Sequence, residues 1–172
     1  MTKRILVTYA SQTGFTEGVA EMIGKTIADV NIVVDVLPMK DVQDVTGYQA
    51  VVAGSGIQAG EWLPEAMDFI RKNRSELNTK PFAAFLVCMT LTMKGGDKYR
   101  SHVQEWMRPV RELVPTVSEN IFAGGLDLKK IPSFSDRMKF RLSTLIGIWK
   151  TGDHRDWEAI QNWANELKAL FK

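Results

Sequence analysis

The sequence predicts an α/β protein: a doubly wound, five-stranded parallel sheet of order 2-1-3-4-5 with helices on both faces. Three observations predict it. Short β-branched and apolar runs alternate with stretches of helical periodicity along the whole chain. The runs are continuously apolar, as strands covered on both faces are, and do not alternate with polar residues. Glycine-bearing or hydroxyl-rich turns follow the first, third and fourth runs, where such a sheet gathers a ligand beyond the carboxyl ends of its strands. The reading is a single domain, 1–172, without repeats, low-complexity segments or an internal linker.

The first strand is residues 5–9, ILVTY. A helix opens within a few residues of its end, with Val19, Met22, Ile23, Ile27 and Val30 on one face. Residues 32–37 are the second strand, and 41–45 predict a short helix. Residues 50–55 are the third strand, ending in the glycine-rich loop 54–62. Pro64 suits the first position of the next helix, where its missing N–H does no harm. That helix is expected to reach about Leu77, with Met67 and Ile70 facing inward. Phe82–Cys88 is the fourth strand, followed by a loop from Met89 to Asp97. Tyr99, Val103, Trp106, Val110 and Leu113 predict one amphipathic helix. Residues 117–123 are the fifth strand. The last helix starts at Asp153 or Asp156 and buries Trp157, Ile160, Ala164, Leu167 and Phe171.

Composition narrows the function. With 45% hydrophobic and 24% charged residues, the chain reads as a soluble globular protein. It shows no apolar signal segment, and its longest mostly apolar run, 81–93, is shorter than the ~20 residues a membrane-spanning helix needs. The expectation is a cytoplasmic protein. A single cysteine, Cys88, excludes an internal disulfide, and no cluster has metal-ligand spacing. His102 and His154 read as surface residues, so no catalytic dyad is assigned. Net charge is +2 but unevenly placed. Residues 129–155 hold seven basic side chains against two acidic ones, a net of +5, and the remainder nets −3. That block points to an anionic partner or surface, and nothing points to nucleic acid.

The turn after the first strand carries the chemistry. Ser11, Gln12, Thr13, Gly14, Phe15 and Thr16 stand where a helix presents unpaired N–H groups and the positive end of its dipole. Ser11, Thr13 and Thr16 add hydroxyl donors, and Gly14 permits a left-handed backbone. No Lys or Arg occurs between Arg4 and Lys25, so a phosphate here is held by neutral donors. The P-loop and the Gly-x-Gly-x-x-Gly pattern are both absent.

Ser-x-Thr-Gly-x-Thr after a first strand, as Ser11, Thr13, Gly14 and Thr16 stand here, resembles the FMN-phosphate loop of the flavodoxin family. The resemblance implies a flavodoxin-like fold with FMN as cofactor and the flavin ring between the loops after strands 3 and 4. It implies ring contacts from Ser55, Gly56, Ile57, Gln58 and Trp62, with Trp62 equally readable as a core or helix-entry packing residue. Met89, Thr90, Leu91, Thr92, Gly95 and Gly96 would lie along the pyrimidine side. Gly56 or Gly60 is expected to turn a carbonyl toward the flavin N5 atom.

Between the fifth strand and the last helix lies a basic insertion, 126–155, far longer than the ~2–6 residues usual for such a connection. Ser135 or Asp136 is expected to cap a helix there. Met138, Leu142, Leu145, Ile146 and Trp149 form its apolar stripe, Lys139 borders that stripe, and Arg137 and Arg141 fall off it. A basic amphipathic helix with a tryptophan reads as a membrane or partner contact over residues 136–150, at the inner face of the membrane. The competing reading is that the stripe covers its own domain. Asp136-Arg137-Met138, Gly152-Asp153, Asp156-Trp157-Glu158 and Gly54-Ser55-Gly56-Ile57 resemble the flavodoxin branch of menaquinone-dependent protoporphyrinogen oxidases. That resemblance implies an oxidoreductase acting on a reduced organic substrate and passing electrons to a quinone. The alternative is an electron carrier exchanging single electrons with a redox protein.

Overall fold

Residues 2–172 are described by a computed structural model. Strand β1 (Lys3–Ala10) has six consecutive buried residues, because it lies inside the sheet, paired on both sides, with a layer on each face. Helix α1 (Phe15–Ile27) returns across one face to β2 (Ile32–Pro38). Strand β3 (Ala50–Gln58) runs beyond the predicted third strand and folds back on the short β4 (Glu61–Trp62). Then come α2 (Pro64–Lys72), α3 (Arg74–Leu77), β5 (Phe82–Cys88), α4 (Arg100–Glu105), α5 (Arg108–Leu113) and β6 (Ser118–Ala123). The insertion begins with β7 (Gly125–Leu126), continues through α6 (Phe134–Leu145) and returns on β8 (Gly152–Asp153) to α7 (Trp157–Leu170).

The parallel strands are ordered β2-β1-β3-β5-β6. With the β4 stub set aside, this is the predicted 2-1-3-4-5 order, and the sheet is flavodoxin-like. Two apolar layers cover it. Ile5, Val7 and Tyr9 face α1 and α7, while Leu6 and Ala10 face the layer of α2, α4 and α5. Phe85, Phe122 and Trp163 form an edge-on aromatic cluster with centroids 5.7–6.2 Å apart. Gly54 makes room for it, since a Cβ there would fall within the Phe85 ring.

Several local expectations are corrected. Helix α1 ends at Ile27, so Val30 is 93% exposed and lies off its face. Residues 41–45 are not helical. A 3-10 turn spans Met39–Asp41, and the Asp44 carboxylate instead accepts from the Thr46 N–H, a local bond that competes with a helix. The helix after Pro64 breaks at Asn73, whose side-chain amide donates to the Phe69 carbonyl. The single helix expected over Tyr99–Leu113 is two, because Pro109 has no N–H to continue the ladder. Ser133, rather than Ser135 or Asp136, caps α6, accepting from the Asp136 N–H at 3.3 Å. Asp156, rather than Asp153, caps α7, accepting from Ala159.

Candidate functional site

The carboxyl edge of the sheet opens on a cleft of about 720 Å³. The loop after β1 forms one side. Gly14 takes φ +84 at the entry to α1, and its N–H donates to the Ser11 hydroxyl at 3.0 Å. Thr13 and Thr16 line the cleft. Thr16 is only 3% exposed, and its hydroxyl is engaged by no other described residue. A nearly buried hydroxyl at the start of a 13-residue helix, beside free backbone N–H groups, suits a compact anion.

The β3–β4 hairpin forms the second side. Ala59 and Gly60 both take positive φ, +53 and +81, the shape that a two-residue hairpin turn requires. Gly56 lies within β3 and is not left-handed, so Gly60 is the glycine with the freer backbone. Gly56, Ile57 and Gln58 line the cleft, and the Gln12 amide bridges to Gln58 at 3.2 Å. Ser55 and Trp62 do not line it. The Ser55 hydroxyl is fully buried, donating to the Gly56 carbonyl and accepting from the Leu63 N–H, and so staples the hairpin to α2. Trp62 is turned into the core by its pairing with Ile57.

After β5, Met89 and Thr90 reach the cleft. Leu91 packs against the core, and the Thr92 hydroxyl donates back to the Met89 carbonyl. Gly95 and Gly96 shape the turn beyond. A Cβ at Gly96 would collide with the Leu91 backbone. Leu91, Thr92, Gly95, Gly96 and Gly14 therefore support the loops without lining the cleft.

The residues that sequence reasoning did not find complete the walls. Trp106, at the break between α4 and α5, packs against the core layer on one side and covers Gly60 on the other, where a Cβ would sit 3.4 Å from the indole Nε1. His102 stands edge-on to it at 5.5 Å. The insertion supplies the far wall through Leu126, Ile131, Phe140 and Trp149, with the Phe140 and Trp149 rings 6.3 Å apart. Its carboxylates are engaged: Asp127 accepts from the Lys129 N–H, and Asp136 pairs with Lys139.

Phe15 joins the two halves of the site. Arg155 lies over its ring at 5.0 Å, donates to its carbonyl at 3.1 Å and pairs through two nitrogens with Asp153. That pairing holds the Asp153 carboxyl below the ordinary range. Burial, then the bond to Glu17, pushes the Tyr9 hydroxyl well above its usual range, so it stays a donor beneath the loop. Burial also raises the Cys88 thiol, leaving it a neutral lining group and a poor nucleophile.

A doubly wound parallel sheet whose first helix opens on hydroxyl donors, with two further loops converging at the same edge, defines an α/β protein with a ligand-sized cleft at the switch point of its sheet. The chain belongs to the flavodoxin domain family, whose pattern matches residues 6–153. It is similar to "Protoporphyrinogen IX dehydrogenase [quinone]" of Leishmania major, 24% identical over 97% of this chain and 75% of the relative. The protein of the same description from Escherichia coli K12 is 22% identical over 97% and 96%. A solved archaeal flavodoxin superposes with TM-score 0.57 at 19% identity, covering 98% of each chain. A short-chain flavodoxin associated with a PDU bacterial microcompartment superposes with TM-score 0.63 at 16% identity, covering 99% of this chain and 100% of its own.

Proposed function

We propose that this chain is an FMN-dependent oxidoreductase that oxidises a reduced organic substrate of the protoporphyrinogen class and delivers the electrons to a quinone. The observation that carries the reading is the nearly buried Thr16 hydroxyl, open to the cleft at the start of α1 among donors that are all neutral. That donor set fits a phosphate monoester. In this reading the hydroxyls of Ser11, Thr13 and Thr16 and the N–H groups of 12–16 hold the phosphate. The ring lies against Gly56, Ile57, Gln58, Met89 and Thr90. Bound FMN would supply the two-electron redox chemistry.

The protein's own residues orient and exclude. Trp106 and Gly60 close one end of the cleft, while Phe140 and Trp149 offer an aromatic wall for a flat, apolar substrate. This added wall favours an enzyme over a carrier, which needs only an exposed ring edge. The identity with the two dehydrogenases over 97% of the chain supports the substrate class.

No helix among the described residues is long and apolar enough to cross a membrane. Phe134, Met138, Leu142 and Leu145 are exposed on α6 and Ile146 just past its end, with Lys139 and Arg141 on the same helix. In this reading they rest on the anionic inner face of a membrane, where a quinone dissolves. Anaerobic mixing of the FMN-loaded protein with protoporphyrinogen and a quinone should give turnover; a rate no higher than without protein overturns the enzyme reading. Flotation with anionic vesicles tests the surface, and protein left at the bottom at low salt removes it.

A further inference from the structure

We propose that Lys130, carried by the insertion, supplies the positive charge that the phosphate loop itself lacks. This rests on the reading of residues 11–16 as an FMN-phosphate site. The Lys130 ammonium stands 5.6 Å from the centre of the Phe15 ring and 3.9 Å from the point where a Cβ at Gly14 would lie. It therefore stands over the entry to α1, on the side of the loop that the insertion covers.

Its position is built. The β7–β8 ribbon closes the neck of the insertion, and the His154 N–H donates to the Gly124 carbonyl at 3.0 Å. Asp127 then caps the 3-10 turn Leu128–Lys130, accepting from the Lys129 N–H through its side chain and from the Lys130 N–H through its carbonyl. Phe15 seats against the ribbon at Gly125, where a Cβ would strike its ring.

The neighbouring charges single out Lys130. Arg155 is committed to Asp153, to the Phe15 carbonyl and to the face of Trp157. The Glu17 carboxylate lies 3.8 Å from the same Gly14 point and accepts from Tyr9. An anion at the loop would thus have one carboxylate close behind Gly14, with only neutral donors in the loop against it. Lys130 forms no ion pair among the described residues and is exposed; like Glu17 it stands beside Gly14 rather than in the cleft lining, so its charge offsets Glu17 and acts on the phosphate across the loop. The insertion then has two tasks at one site: a wall for the ring side and a cation for the phosphate side.

Riboflavin, which lacks the phosphate, separates them. Flavin-fluorescence titrations compare FMN with riboflavin for the wild type, Lys130→Gln, Lys130→Arg and the neighbouring Lys129→Gln, at low and high salt. The expected result for Lys130→Gln is a loss of about three- to fivefold in FMN affinity at low salt, the upper end of the scale of one exposed charge pair. Its riboflavin affinity should be unchanged, and the salt dependence of its FMN binding should be smaller. Lys130→Arg should restore FMN binding and Lys129→Gln should leave it within about twofold. An unchanged FMN affinity in Lys130→Gln overturns the inference, as does an equal loss for both flavins. A wild type that binds riboflavin and FMN alike, or neither, sinks the underlying phosphate reading as well.

Discussion

Thr16→Val tests the phosphate loop with the least disturbance. Valine keeps the branched shape and deletes only the hydroxyl. The side chain is 3% exposed, so a replacement water has little room, and the hydroxyl serves no other described residue. The ligand-free fold should therefore hold its stability within ~0.5 kcal/mol. The complex should not. A hydrogen bond to a charged acceptor contributes ~1.5–3 kcal/mol, which corresponds to a fall of roughly 10- to 150-fold in FMN affinity. Thr13 is half-buried, so water substitutes for its hydroxyl more easily and Thr13→Val should cost less. Calorimetric titration gives the affinities, and urea unfolding without flavin gives the stability. An FMN affinity within twofold of wild type refutes the role given to Thr16. A matching loss for riboflavin would show that the hydroxyl supports the loop rather than the phosphate.

Gly54→Ala should cost at least ~3 kcal/mol or leave the chain insoluble, because the new methyl falls within the Phe85 ring in the core. Gly47→Ala, with nothing within 4 Å, should stay within ~1 kcal/mol of wild type in urea unfolding. Asp156→Ala removes the cap of α7 and should lower stability by about 1 kcal/mol, or about 2–4 °C in a melt. The Asp153 carboxyl is depressed in the fold by Arg155, so its contribution is present at neutral pH and lost as pH falls through the folded value, below ~4. Protection from amide exchange across the β7–β8 ribbon, taken relative to the intrinsic rate at each pH, should fall in acid for wild type, and Asp153→Asn should flatten that dependence. An unaltered acid slope would contradict the pairing.

The strands were legible because they are covered on both faces. Burial from both sides writes a continuous apolar run, and Phe82–Cys88 matches its run residue for residue. The turn after β1 was legible because a helix start is a local event with local chemistry. The rest depended on returns of the chain. Trp62 takes the core role, one of the two its position allows, and Trp106 adds a cleft-lining face to the core packing its spacing predicts. The two-residue turn at Ala59-Gly60 sets a register that rotates Trp62 into the core. The break before Pro109 releases Trp106 to the cleft, and that proline was the available signal. The insertion was legible by its length and basic charge, but which of its side chains line the cleft was not, since Leu126, Ile131, Phe140 and Trp149 are brought there by the ribbon and Arg155.

Helix α6 shows most clearly what periodicity leaves open. The pattern fixes that one face is apolar, not which way it points. Here the half-buried side is Asp136, Phe140, Ser143 and Thr144, whereas Leu142 and Leu145 are 62% and 79% exposed. A helix that served only to cover its own domain would turn the other way, since burying one such side chain is worth ~1.5–3 kcal/mol. The observed orientation keeps leucines out of the cleft, which stays open and lined by Phe140 and Trp149, and leaves the apolar face for another surface. Folding and surface binding should then separate. Leu142→Asp with Leu145→Asp removes apolar area that the fold does not use, so the melting temperature should hold, with a change in stability no larger than ~0.5 kcal/mol. The proposed contact with anionic vesicles should be lost in flotation, while Lys139→Gln weakens it only at low salt. A large loss of stability in the double variant would mean that the helix packs on its own domain in solution, and the membrane contact would fall with it.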